Sequence, residues 1–303
     1  MIKWKSLGRI FKNSTKFTWA HSYASSACCY LIDKNCFKVF FTVRDKNNIS
    51  RIAEGTLTIN NDQFDFNFNG GIALNTGAYG AFDDSGVSYP FFFHGFGRKF
   101  LMYTGWMVRT GIPFQNNLGL AEFKNNSFNR VSKAPIFPIN NEDYLGVGSS
   151  CIVSNENELN LFYTSFTDWK KIKGKFFHNY HIKKATLKNK NWEWKICKNG
   201  MLDNSLVRSD NIARPCVIKN SNRFYMFFCH RNNHQDYKLG LAESSDLNEW
   251  KIINSEIQRN YDGDWDSDSW CYPYVFKSDN GFYMLYAGNN YGQNGFGLAK
   301  LEG

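Results

Sequence analysis

The stretch SGVSYPFFFHGFGRKFLMYT at 85–104 returns almost word for word as SDSWCYPYVFKSDNGFYMLY at 267–286. Each copy starts polar, meets a proline, runs through a short apolar segment, turns, and runs through a second apolar segment. A chain that repeats itself in this way builds repeated supersecondary units, and such units bury their faces only by packing on one another. The second apolar run recurs as FKVFF at 37–41, FLMYT at 100–104, LNLFY at 159–163, FYMFF at 224–228 and FYMLY at 282–286, spaced by roughly 60 residues. No other feature restricts the fold as tightly.

Each unit carries further shared parts. A strand-like segment precedes the run, as in SACCYLI, PFFF, SCIV, PCVI and PYVF. A Gly/Ala-rich strand follows it: RIAEGTL at 51–57, LGLAEF at 118–123, HIKKATL at 181–187, LGLAESS at 239–245 and FGLAKLE at 296–302. Short aromatic strands come next at FNRV, WEWKIC and EWKII, with hairpin turns such as SDNG, KNSNR and NENE between strands. Helical periodicity is sustained nowhere. Four strands per unit, five times over, predict an all-β five-bladed β-propeller with four antiparallel strands per blade, in a single domain over 1–303. The last unit stops at FGLAKLEG, so MIKWKSLGRIF is expected to supply its outer strand and close the ring.

Composition supports a large core, at 43% hydrophobic and 17% aromatic residues. No stretch reaches the ~18 apolar residues of a membrane span. The basic N-terminus lacks the apolar region of a signal peptide, which predicts a cytoplasmic protein with no membrane insertion. The eight cysteines show no C-x-x-C spacing and read as reduced, buried thiols. No metal site or cofactor is expected. The formal charge of +9 is spread out rather than gathered in runs. That pattern argues against nucleic acid and for attraction to an anionic ligand. No motif fixes an oligomeric state.

In a propeller the first strand of each blade lines the central channel, and residues approaching it converge at one mouth. Those positions hold His21 and Ser22, Asp83 and Asp84, Tyr144, Ser149 and Ser150, Asp210 and Arg214, and Asp266 and Asp268. The loops leaving the second strands add Arg44, Asp45, Trp106, Arg109, His230, Arg231, Asn289 and Asn290. Paired carboxylates serve glycosidic chemistry, arginine forks bind phosphate or carboxylate, and aromatic faces stack on sugar rings. The expected acid/base pair is Asp268 with Asp84. Arg214, Arg44 and Arg231 are expected to hold phosphate, and Trp106 and His21 to contact the sugar. Asp45, Asp266 and Asn289 complete the substrate-binding set. The loop YDGDWDSD places Asp262, Asp264 and Asp266 together but lacks the Gly and Glu of a calcium loop.

The motif set AFDDSGVSYP, MYTGW, YHIKKA, ARPCVI, WDSDSWCYP and NGFGLAKLE resembles the five-bladed propeller clan of sugar-cleaving enzymes. That clan includes arabinanases, β-xylosidases, invertase-like fructosidases and mannoside phosphorylases. The set is most similar to a group of propeller proteins found beside bacterial surface-polysaccharide genes. The resemblance covers essentially the whole chain. Hydrolases of the clan use an Asp approaching blade one, an Asp approaching a middle blade and a Glu approaching a later one. Here His21 and Ser22 stand at the first place, and Ala213 and Arg214 where the Glu is expected, so Asp84 and Asp268 remain. The resemblance therefore implies an enzyme acting at the anomeric region of a nucleotide-activated or phosphorylated sugar in bacterial surface-polysaccharide (capsule or lipopolysaccharide) biosynthesis. A furanoside glycosidase or transglycosidase, and a non-catalytic glycan-binding propeller, are the alternatives.

Overall fold

The protein is described from a computed structural model covering all residues except 1, 14–15, 61, 155–157, 189–190, 203, 233–234, 255–256, 261–262 and 303. Most of the expected NENE turn, and Asp262, fall outside the described residues.

The N-terminal strand β1 (Lys3–Phe11) precedes five groups of strands. The first group is β2 (Ser22–Asp33), β3 (Cys36–Arg44), β4 (Ser50–Asn60) and β5 (Gln63–Leu74), paired antiparallel in that order. The second is β6 (Gly86–Gly95), β7 (Arg98–Val108), β8 (Phe114–Lys124) and β9 (Ser127–Arg130). The third is β10 (Val147–Ser154), β11 (Leu159–Ile172), β12 (Lys175–Leu187) and β13 (Lys195–Ile196). The fourth is β14 (Asn211–Asn220), β15 (Arg223–Arg231), β16 (Lys238–Ser244) and β17 (Lys251–Asn254). A short strand β18 (Gln258–Asn260) comes before the last group, β19 (Cys271–Ser278), β20 (Gly281–Ala287) and β21 (Phe296–Glu302).

The chain ends meet as expected. β1 runs antiparallel to β21 from Lys3 opposite Glu302 to Phe11 opposite Phe296, and β18 pairs parallel on its far side. The first and second groups touch through one parallel pair, Ser50 with Gly86, so they count as a single eight-stranded sheet. The innermost strands form a circuit in which β2 packs on β6, β6 on β10, β10 on β14, β14 on β19 and β19 on β2.

Second strands sit between neighbouring groups, which buries both their faces. That is why they read as unbroken apolar runs rather than alternating ones: Phe100, Leu101, Met102 and Tyr103 are all fully buried. The outer strand β5 alternates exposed and half-buried residues, as a strand with one face in water does.

Two devices repeat across the groups. Each innermost strand is bulged at the same place, with an extra pair of residues between Ser25 and Cys28, Ser88 and Phe91, Gly148 and Cys151, Ala213 and Cys216, and Cys271 and Tyr274. The first residue of each pair is left-handed: Ser26 (φ 54°), Tyr89 (52°), Ser149 (47°), Arg214 (55°) and Tyr272 (57°). Four of these turns are pinned by the preceding group. The N–H of Tyr89 donates to Thr42 Oγ1, that of Ser149 to Thr104 Oγ1, that of Arg214 to Thr164 Oγ1, and that of Tyr272 to Cys229 Sγ.

The second device is a buried carboxylate accepting from a tyrosine twenty residues on. Tyr103 Oη donates to Asp83 at 3.0 Å, Tyr163 Oη to Asp143 at 2.8 Å and Tyr286 Oη to Asp266 at 2.8 Å. Asp83 also takes an ion pair from Arg130, and Asp143 one from the buried Lys183 at 2.8 Å. A buried carboxylate is tolerated only when it is paired and hydrogen-bonded in this way.

Candidate functional site

A cavity of about 360 Å³ opens where the innermost strands begin. All five groups contribute to it: Tyr23, Ser25, Ser26, Thr42 and Arg44 from the first; Ser88, Tyr89 and Phe114 from the second; His178 from the third; Arg231 and Tyr237 from the fourth; Tyr272 and Tyr291 from the fifth. The bulges explain its position, because a left-handed residue turns its side chain out of the ladder and toward the centre. The proof is contact between groups that are not neighbours. Tyr89 and Tyr272 pack edge to face at 5.4 Å, with their hydroxyls 3.4 Å apart. Arg214 of the fourth group reaches the carbonyl of Ser26 in the first and lies over the ring of Tyr89 in the second.

The site is positive and rich in phenols. Arg231 stacks on Tyr237 at 4.7 Å and Tyr291 at 5.4 Å, and its Nε donates to Tyr180 Oη. Arg44 lies over Tyr23 at 5.1 Å and donates to Asn48. Burial holds the phenols of Tyr237 and Tyr272 well above their ordinary range and pushes Tyr180 up to about 12, so all three stay protonated donors. His178 sits between Phe166 at 4.9 Å and Trp169 at 4.6 Å. Burial first, and then the charge of Arg231, lowers it to about 4, so its imidazole is neutral at physiological pH. Among the described residues no carboxylate lines this cavity.

The expected residues divide into several sets. Arg44 and Arg231 line the cavity and Arg214 lies directly behind its wall. Exposed His21 directly precedes β2, its N–H bonded to the Arg44 carbonyl. Asp84 sits in the loop before β6, accepting from the Gly80 N–H at 3.0 Å and the Ser85 hydroxyl at 2.8 Å. Exposed Asp268 lines a separate groove of about 270 Å³ with Gln235, Asp236, Lys238 and Trp270. Tyr237 is the wall common to that groove and the cavity, and Asp84 lines neither.

Others are committed inward. Asp266, expected to meet substrate, is 0% exposed and braces Trp270, Tyr286 and the N–H of Gly263. Asp45 closes the 45–49 turn through the N–H groups of Asn47 and Ile49 and an ion pair with Arg51. Asn289 is buried, accepting from the N–H groups of Asp268 and Ser269 and donating to the Asp264 carbonyl. Trp106 donates to Ser50 across the seam between the first two groups.

Sequence reasoning missed Tyr23, Ser26, Tyr89, His178, Tyr237, Tyr272 and Tyr291. A signal existed for three axial positions: Tyr89, Arg214 and Tyr272 each stand directly before a proline at the same point of the repeat.

The fold is a glycoside hydrolase-like β-propeller. Solved structures of this architecture include a glycosyl hydrolase from Bacteroides ovatus (TM-score 0.70, 13% identity, covering 98% of this chain and 92% of that one) and the sucrose-6-phosphate hydrolase from Lactobacillus gasseri (TM-score 0.66, 11% identity, 97% and 60%). Residues 127–292 match the glycosyl hydrolases family 32 N-terminal domain, and the chain belongs to that family. Over its length it is also similar to the uncharacterized protein MT1551 of Mycobacterium tuberculosis, 29% identical across 303 residues, 99% of this chain and 100% of the relative.

Proposed function

We propose that this chain is a carbohydrate-active enzyme with five blades around one axis, which receives an anionic saccharide in its central cavity and acts at the anomeric region. The substrate class is a phosphorylated or nucleotide-linked sugar. One observation carries the reading: two arginines and five tyrosines line the cavity, the phenols of Tyr237 and Tyr272 among them held protonated by burial, and no described carboxylate does. Such a lining offers donors and positive charge to a ligand that only accepts. Tyrosine faces supply the stacking surface for a sugar ring or base. The family and the fold favour chemistry on a glycosidic bond, and a neighbour of the same fold is, by its name, a hydrolase of a sugar phosphate. Acid/base duty is assigned to Asp268, across Tyr237 from the cavity. A cytoplasmic setting and a role in surface-polysaccharide synthesis belong to the same proposal.

The lack of a described carboxylate in the cavity favours one rival, a glycan-binding propeller without catalysis. Proton NMR of anomeric signals against nucleotide sugars, sugar phosphates and aryl furanosides separates the two. The enzyme reading expects a new anomeric species from an anionic sugar, lost in Asp268→Asn. It also expects KM raised roughly 10- to 100-fold in Arg231→Ala, the worth of one charge-assisted hydrogen bond. Saturable binding without product, unchanged in Asp268→Asn, establishes the binding module instead. Turnover of aryl furanosides alone refutes the anionic substrate.

A further inference from the structure

Arg214 is only 2% exposed, yet it carries a full charge to the axis of the molecule. Its Nη2 donates to the Ser26 carbonyl at 3.1 Å and its guanidinium lies 5.4 Å from the centre of the Tyr89 ring. Among the described residues its buried Nη1 has no hydrogen-bond partner, and no acidic side chain pairs with it. A guanidinium cannot escape by losing its proton, unlike a buried lysine or histidine. A buried, unpaired charge is among the costliest things a fold can hold. The position is no accident of a flexible side chain, because the left-handed turn and the Thr164 hydroxyl on its N–H fix where it starts.

The residues at the equivalent bulges decide what can balance that charge. Ser26, Tyr89, Ser149 and Tyr272 each carry a hydroxyl and none carries a carboxylate. Thiols around the axis, Cys28 and Cys216 among them, are held above their ordinary range by burial and stay neutral. A positive centre with hydroxyl-bearing residues at the equivalent bulges suits a compact ligand with several acceptor oxygens and negative charge. We propose that Arg214, with the cavity-lining Ser26, Tyr89 and Tyr272 beside it, is the receptor of a phosphate-class oxyanion bound on the axis at the floor of the cavity, apart from Arg44 and Arg231. The oxyanion is either free inorganic phosphate or the phosphate of the ligand. Only the second source rests on the proposed function; the receptor itself does not.

The test uses the full chain and inorganic phosphate alone, against chloride at matched ionic strength, read as the thermal midpoint and by calorimetry. Wild type and Arg231→Ala are expected to gain several degrees from phosphate. Arg214→Met is expected to gain nothing, and without phosphate to be no less stable than wild type, because it removes an unpaired buried charge. Equal phosphate responses in wild type and Arg214→Met overturn the proposal. So does a response that vanishes in Arg231→Ala but survives in Arg214→Met. Should Arg214→Met not fold, Arg214→Lys decides: a point charge in place of the fork weakens phosphate binding about tenfold, and unchanged affinity refutes the receptor. Glucose 1-phosphate then identifies the source. Displacement of inorganic phosphate places a substrate phosphate at Arg214, and additive binding leaves it to the free anion. A protein that answers to phosphate but to no saccharide keeps the receptor and loses the proposed function.

Discussion

His178 shows how a single residue ties the cavity to stability. It is packed among Phe114, Phe166, Trp169 and Tyr180 with Arg231 nearby, and those neighbours penalise its charged form. With a folded value of about 4 against an ordinary 6.5, the unfolded chain binds a proton between those values and the folded one does not. Stability from this group is therefore complete above about pH 6.5 and lost as pH falls toward 4. From pH 7 to pH 5 the loss amounts to about 2 kcal/mol at most. Urea unfolding at the two pH values should show that difference in wild type and its absence in His178→Phe; equal slopes would refute the assignment. The sequence offered no route to this residue, since a histidine in a Lys-rich hairpin reads as solvated. Arg44, Arg214 and Arg231 were legible, because arginines placed at strand ends facing a channel have few other uses. Asp266 misled for the same reason in reverse: a carboxylate before a strand reads identically whether it faces the channel or turns back onto Trp270 and Tyr286.

At the scale of the strand group, the repeated apolar runs were plain because a strand buried on both faces leaves no polar gaps. The bulges were not, since backbone handedness leaves no common side chain at Ser26, Tyr89, Ser149, Arg214 and Tyr272. The brace from Asp to a tyrosine twenty residues later was present in the sequence, in groups two, three and five. The first and fourth groups have Phe41 and Phe228 in place of the tyrosine, and these groups supply Arg44 and Arg231 to the cavity. In the third group the brace includes a lysine. Lys183 is buried at 2%, and its bond to Asp143, helped by Ser165 and Tyr163, draws that carboxyl below its ordinary range although burial opposes this. Lys183→Met strands the Asp143 charge and should cost about 3–5 kcal/mol. Asp143→Asn with Lys183→Met should recover much of that loss, because the uncompensated charge is gone. Denaturant unfolding of the single and double variants measures it, and additive losses would show that the pair is not coupled.

The whole molecule depends on joining its two ends. Without β1, the edge of β21 would be bare and β18 would lose its strand partner. Trp4 makes this more than an edge contact. It is 0% exposed, it pairs through its backbone with Leu301, and its ring packs edge to face on Phe227 of the fourth group at 5.8 Å. One side chain thus links the start of the chain, its end, and a group between them. Its removal should act on the whole structure rather than fray a terminus. Trp4→Ala is expected to cost about 3–5 kcal/mol, the usual penalty for emptying a large aromatic site. Far-ultraviolet circular dichroism and intrinsic fluorescence should report one shared, lowered transition. If β1 were an ornament on a ring closed by other means, the variant would lose little stability, or the two probes would part, with a small early transition preceding an unchanged main one.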